Sequence, residues 1–173
     1  MERREDSRAD VIPISQAPSA PHPGEPDPEV PRHPRAAGLG RVGVVLVSHS
    51  QRLAEAVAAL AVGLTRTDDP AAVAATGGSL ADGLGTSAVL VAAAARRVDQ
   101  GHGVVVLADL GSAVGTVRAL LTDADEHGLP FPVRLADAPF VEGAVAAVAT
   151  ASAGGDLAAV LDAAEEMYRQ RKL

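Results

Sequence analysis

Val44-Val45-Leu46-Val47-Ser48-His49-Ser50-Gln51-Arg52-Leu53-Ala54-Glu55-Ala56-Val57 changes its apolar pattern across three polar residues. The opening four residues form a short run dense in β-branched side chains, which reads as a buried strand. Beyond the polar break, Leu53, Val57, Leu60 and Leu64 recur at helical intervals and predict a helix over residues 51–64 with these four side chains inward. A strand that turns directly into a helix is the building unit of α/β architecture. His49 then lies at the carboxyl end of a strand, where open parallel sheets bind ligands. Near neutral pH an imidazole serves as nucleophile, base or donor, and the amides at the helix start favour an anion. That combination suits phosphate chemistry.

The alternation continues outward from this stretch. A weaker strand is expected over residues 71–75, and Thr86 is expected to cap an Ala-rich helix that runs to about Val98. Val104 to Ala108 is the clearest strand, and Asp109-Leu110-Gly111-Ser112 leads from it into a helix with Val114, Val117, Leu120 and Leu121 inward. A fourth strand is expected over residues 131–135. Pro139 suits the first turn of a helix through Val141, Val145 and Val148, because its missing amide hydrogen costs nothing there. Asp156 is expected to cap a last helix with Leu157, Val160, Leu161 and Ala164 inward and Arg169, Arg171 and Lys172 near its negative end. The order β-α-β-α-β-α-β-α-α predicts an α/β fold, a doubly wound, mostly parallel sheet with helices on both faces.

Composition narrows the function classes. The chain has 173 residues, is 47% apolar and contains no Trp, with aromatics at only 2%. Its core must therefore be Val, Leu and Ala, which leaves few rings for stacking bases or sugars. The formal charge of -7 repels nucleic acid on average. Cysteine is absent, which removes disulfides, thiolate nucleophiles and Cys-ligated metals, and a cytoplasmic location fits. No stretch approaches the roughly 20 apolar residues needed to span a bilayer, and the N-terminus lacks signal-peptide order. Prolines at 13, 18, 21, 23, 26, 28, 31 and 34 interrupt any helix or ladder, so residues 1–38 read as a disordered tail before one domain over 39–173.

Two strand ends carry chemistry in similar contexts, Ser48-His49-Ser50 and Asp109-Leu110-Gly111-Ser112. Adjacent strands of a doubly wound sheet would bring them together, with Asp109 accepting from one imidazole nitrogen and leaving the other as a nucleophile. Gly111 and Ser112 begin a helix whose amides would hold phosphoryl oxygens. As local features alone, His49 also reads as a turn residue and Asp109 as a helix cap. Gly77-Gly78 and Gly83-Leu84-Gly85-Thr86 read either as a backbone cradle or as a flexible turn. The chain has no Gly-Lys-Thr or Gly-Lys-Ser element, and no Gly-x-Gly-x-x-Gly run follows its first strand, so P-loop and Rossmann readings fail. His102 and His127 read as surface residues; Asp123, Asp125 and Glu126 read as solvated surface and not as a metal site.

Val44 to Ser50, Gly83-Leu84-Gly85-Thr86-Ser87-Ala88, Asp109-Leu110-Gly111-Ser112-Ala113 and Ala138-Pro139-Phe140-Val141-Glu142-Gly143-Ala144 occur in this order. The ordered set resembles the phosphocarrier subunits (DhaM) of PEP-dependent dihydroxyacetone (glycerone) kinases, which carry a mannose-type IIA (EIIA) domain of the phosphotransferase system. The resemblance implies a phosphotransferase component in which His49 takes a phosphoryl group from phospho-HPr on Nε2, as a tele-phosphohistidine, with Asp109 orienting the ring. It implies transfer to ADP on the partner DhaL, whose ATP phosphorylates dihydroxyacetone held on DhaK. Gly111, Ser112 and Thr86 are the implied phosphate contacts, with no metal or cofactor, and the implied assembly is a homodimer. Because the sequence ends at Leu173 without the HPr-like and enzyme-I-like domains of some members, a separate HPr is expected. A mannose-type EIIA domain feeding a sugar permease is the alternative within this chemistry. A regulatory module controlled by phosphorylation of His49 is the alternative outside it.

Overall fold

A computed structural model describes residues 40–78 and 83–170 of the chain. The elements are β1 (Gly43–Ser48), α1 (Gln51–Thr65), β2 (Val73–Gly77), α2 (Ala88–Val98), β3 (Val104–Ala108), α3 (Gly111–Thr122), β4 (Val133–Leu135), α4 (Phe140–Ser152) and α5 (Leu157–Glu165), closed by a 3-10 turn at Glu166–Arg169. All strand pairs are parallel, in the order β2-β1-β3-β4. The expected doubly wound architecture is therefore present, with the connection direction switching between β1 and β3. Residues 1–38, the expected boundary at 39, and Arg171 and Lys172 lie outside the described residues.

Successive side chains of a strand point to opposite faces, and here both faces are dry. Val44, Leu46, Val105 and Leu107 pack beneath α1, α4 and α5; Val45, Val47, Val104 and Val106 pack beneath α2 and α3. Every residue of β1 and β3 is buried. The core is aliphatic, as composition requires: Phe140 reaches its edge, whereas Phe131 and Tyr168 are exposed. Among the described residues no helix is long and apolar enough to cross a membrane.

Several elements depart from their expected faces or bounds. Leu53, Leu60 and Leu64 of α1 are 44%, 46% and 53% exposed, while Ala54, Val57 and Ala61 point inward. From Ala56 to Leu64 this helix has no polar side chain, so its periodicity cannot choose a face. Packing chooses the small side chains, which admit α1 close to the sheet and α4. In α4, likewise, Gly143, Ala144, Ala147, Val148 and Ala151 are buried and Val141 is 38% exposed. A Cβ on Gly143 would lie 2.9 Å from Ala138 Cβ and 3.0 Å from Leu107 Cδ2, so glycine sets how closely α4 approaches β3.

β2 runs two residues further along than expected, because its ladder with β1 pairs Val44 with Val73 and Ser48 with Gly77. Gly77 is thus a strand residue; a Cβ there would collide with the Ser48 carbonyl and lie 2.9 Å from Gln51 N. β4 is shorter than expected, since Pro132 has no amide for the ladder and offers only its carbonyl, to Val104 N at 2.9 Å. Pro139 sits at the N-cap of α4, one residue before the first helical turn, and Asp156 caps α5 through Ala159 N at 2.8 Å. Thr86 does not cap α2; Ser87 occupies the N-cap without a side-chain bond.

Two of the helical glycines, Gly115 and Gly143, make a paired test. A Cβ on Gly115 of α3 would meet nothing within 4 Å, so Gly115→Ala should raise stability by about 0.5–1 kcal/mol through helix propensity. Gly143→Ala should lower it by roughly 1–3 kcal/mol through overpacking. Urea unfolding of the two variants should move the midpoint in opposite directions, and a stabilised Gly143→Ala would refute the close α4–β3 approach.

Candidate functional site

The register between the central strands assembles the site. Val47 of β1 lies level with Ala108 of β3, and Asp109 N donates to the Val47 carbonyl at 3.1 Å, carrying the ladder one step beyond β3. Ser48 and His49 therefore emerge beside Asp109. On the other flank of β1, the amides of Gly78 and Gly85 both donate to the His49 carbonyl, at 3.2 and 3.0 Å. The backbone at His49 is held from both sides.

Four donors surround the Asp109 carboxylate. Oδ2 accepts from Ser48 Oγ at 2.8 Å and His49 N at 2.9 Å; Oδ1 accepts from His49 Nδ1 at 2.9 Å and Leu110 N at 2.7 Å. Its side chain is only 9% exposed, whereas that of His49 is 23% exposed. Burial pushes the Asp109 carboxyl up, but bonds from the His49 amide, the Ser48 hydroxyl, the His49 ring and the Leu110 amide together outweigh it and hold the group below its ordinary value. Asp109 is an anion with its lone pairs occupied.

An ionised carboxylate only accepts, so the His49 proton belongs on Nδ1 and Nε2 keeps a lone pair. Ser112 Oγ lies 2.6 Å from Nε2 and donates to it. The ring is thus fixed at one nitrogen and presents the other, with its lone pair, toward the start of α3. That start differs from the start of α1. Ser50 caps α1 through Leu53 N at 3.4 Å, but the N-cap of α3 is Leu110, which has no side-chain acceptor to offer. The positive end of α3 is left for an anion at Nε2. A Cβ on Gly111 would meet nothing within 4 Å, so no protein contact demands glycine there; it keeps space open beside Ser112.

The structure brings His49, Asp109, Gly111 and Ser112 together, as their strand-end contexts indicated. Thr86 lies one step away: its Oγ1 is 2.9 Å from Thr116 Oγ1, which donates to the Ser112 carbonyl at 3.2 Å. His102 and His127 are exposed and apart from the site, and the His127 carbonyl accepts from Arg96. Asp123, Asp125 and Glu126 are exposed, and no metal-holding group of three or more such residues occurs among the described residues. Sequence reasoning missed Ser48 and the two backbone amides on Asp109. The available signal was a serine closing a strand that is otherwise wholly apolar.

Residues 43–161 match the EIIA-man family model, described as PTS system fructose IIA component. The PEP-dependent dihydroxyacetone kinase phosphoryl donor subunit DhaM of Escherichia coli (strain K12) is 37% identical over 133 residues, covering 76% of this chain and 28% of that protein. The protein of the same description from Providencia stuartii is 31% identical over 132 residues, again covering 76% of this chain and 28% of the relative. This chain therefore spans less than a third of the length of those two proteins. The phosphoryl donor subunit DhaM of PEP-dependent dihydroxyacetone kinase 2 from Listeria innocua is 30% identical over 106 residues, covering 61% of this chain and 82% of that protein. A crystal structure of the unknown-function protein EF1359 superposes with a TM-score of 0.59 at 25% identity, covering 73% of this chain and 94% of that one.

The donor ring around Asp109 makes its replacement pH-dependent. In Asp109→Asn the amide NH2 must face one of two donor pairs, and each pair contains a backbone N–H that cannot reverse. The variant should lose roughly 1–3 kcal/mol at neutral pH, the cost of an unsatisfied buried group. Because the folded-state pKa of Asp109 is lowered, its stabilisation is complete above the unfolded value and is lost as pH falls through the folded one. The stability gap between wild type and Asp109→Asn should narrow below about pH 4 in denaturant titrations. A gap equally wide at pH 3 and pH 7 would contradict an ionised Asp109.

Proposed function

The chain belongs to the EIIA-man family of the PTS system fructose IIA component, and we propose that it is a phosphohistidine carrier acting through Nε2 of His49 as the phosphoryl donor component of a dihydroxyacetone kinase. The observation that carries this reading is the pair of contacts on one ring: Nδ1 on the Asp109 carboxylate, Nε2 on the Ser112 hydroxyl.

In the proposed reaction the Nε2 lone pair attacks the phosphorus of phospho-HPr. The donor's N–P bond breaks, its electron pair stays on the departing imidazole, and an Nε2–P bond forms. Nδ1 keeps its proton, and the positive charge that develops on the ring is balanced by Asp109. The Ser112 hydroxyl turns from Nε2 to a phosphoryl oxygen, while the amides of Gly111 and Ser112 take others at the positive end of α3. Thr86 acts at the same rim. An oxygen of the terminal phosphate of ADP, bound on DhaL, then attacks the phosphorus; Nε2 recovers its lone pair and ATP is formed. That ATP phosphorylates dihydroxyacetone on DhaK. The carrier works as a cytoplasmic homodimer and uses no metal or cofactor of its own. Positioning and charge stabilisation are what phosphoryl transfer asks of a protein, and this site is built from both.

The family's fructose IIA description also favours a second reading, transfer to a sugar-specific IIB protein. Incubation with PEP, enzyme I and HPr should label the wild-type protein with an acid-labile, base-stable phosphate. His49→Ala should take up none, and full labelling of that variant would remove His49 as the acceptor. Chase with ADP-loaded DhaL should form ATP; movement of the label to a IIB protein alone would select the second reading.

A further inference from the structure

We infer that Ser48 is a positioning residue for His49, acting through the Asp109 carboxylate, and that it ties this carboxylate to the start of α1. The inference rests on the carrier reading above only for its effect on transfer. Ser48 and Thr76 are the buried polar side chains among the described residues, and Ser48 is wholly inaccessible. A serine in such a place costs free energy unless its hydroxyl is fully used.

It is used twice, and the direction of both bonds follows from chemistry. The Ser50 amide, 3.0 Å from Ser48 Oγ, can only donate. The hydroxyl hydrogen is therefore directed to Asp109 Oδ2 at 2.8 Å, an atom that can only accept. Two lines of donors converge on the carboxylate: Ser50 N–H to Ser48 Oγ and Ser48 O–H to Asp109 Oδ2 on one side, and His49 Nδ1–H to Asp109 Oδ1 on the other. The bond from the Ser50 amide polarises the Ser48 hydroxyl toward Asp109. His49 N is the other donor on Oδ2, so Ser48 supplies the second bond that holds the carboxylate plane and keeps Oδ1 aimed at Nδ1. The titratable side chain bonded to Asp109 is His49 from the β1–α1 turn; the remaining partners are the Ser48 hydroxyl and the amides of His49 and Leu110. His49 therefore feels the loss of Ser48 through Asp109.

The geometry separates Ser48 from a plain strand-end serine. A structural role alone predicts lost stability with an unchanged site. A positioning role predicts that Asp109 binds its proton more readily, that the Nδ1–H tautomer is less exclusive, and that the transfer rate falls while affinity for the phosphoryl donor holds.

The test combines carboxyl and imidazole NMR titration of the unphosphorylated protein with phosphoryl-transfer kinetics. Ser48→Ala should raise the Asp109 titration midpoint, lower kcat for transfer from phospho-HPr roughly tenfold, the effect of about one charged hydrogen bond, and leave KM near wild type. Ser48→Thr, which keeps the hydroxyl, should restore both readouts. Asp156→Ala, which removes only the α5 cap, should lower stability without moving either. If Ser48→Ala does not fold, Ser48→Cys keeps the side-chain size with a weaker donor and should move the titration in the same direction. An unmoved Asp109 titration in the Ala or Cys variant, or equal impairment of kcat in Ser48→Ala and Ser48→Thr, overturns the inference. A titration that shifts as expected in a wild-type background that never accepts phosphate would overturn the carrier reading and leave the positioning of His49 by Ser48 standing.

Discussion

The parallel pairing of β1 with β3, Val47 level with Ala108, is the constraint on which the site depends. Backbone hydrogen bonds in a parallel ladder are evenly spaced, so one register places the following residues of both strands within reach of each other. Asp109 continues that ladder through its own amide, and its side chain meets the residues that follow β1. A slip by one residue would turn every strand side chain to the opposite face. With both faces of β1 packed against different helices, such a slip has nowhere favourable to go.

Around that junction the molecule treats two helix starts differently. α1 begins with Ser50, whose hydroxyl closes one orphan amide, whereas α3 begins after Leu110 with no such closure. Both lie at the carboxyl end of the sheet, but one is sealed by protein and the other faces Nε2 of His49. The negative charge that orients His49 sits on the Nδ1 side, surrounded by donors that hold it ionised. The two nitrogens of one ring thereby experience opposite surroundings. That polarity supports the proposed role of Nε2 as a nucleophile for phosphorus.

The aliphatic, Ala-rich composition has structural consequences beyond the lack of stacking rings. Small residues at Ala54, Ala61, Ala144, Ala147 and Ala151, with Gly143, allow α1 and α4 to lie close to the sheet and to each other. Larger leucines on α1 are displaced outward as a result, and Leu53, Leu60 and Leu64 remain about half exposed. Gly77 performs a related service at the edge of β1, where the turn into α1 comes too close for any side chain.

By itself the sequence determined the order of elements, the two-sided burial of β1 and β3, the cap at Asp156, and the placement of His49, Asp109, Gly111 and Ser112 at strand ends. These are readable because apolar period, β-branching and capping chemistry act over a few neighbouring residues. The ordered motifs also made the family legible before any geometry. Tertiary structure alone decided which stripe of α1 and α4 turns inward, since an apolar helix with small residues on every side presents no unique face to periodicity. It decided that β2 extends through Gly77, because strand limits come from a partner's register and not from composition. It also gave Thr86 a partner on α3 in place of a capping role and made Ser48 part of the Asp109 ring. Those contacts join residues 30 and 61 positions apart, and no local pattern encodes the direction of a hydroxyl across such a separation.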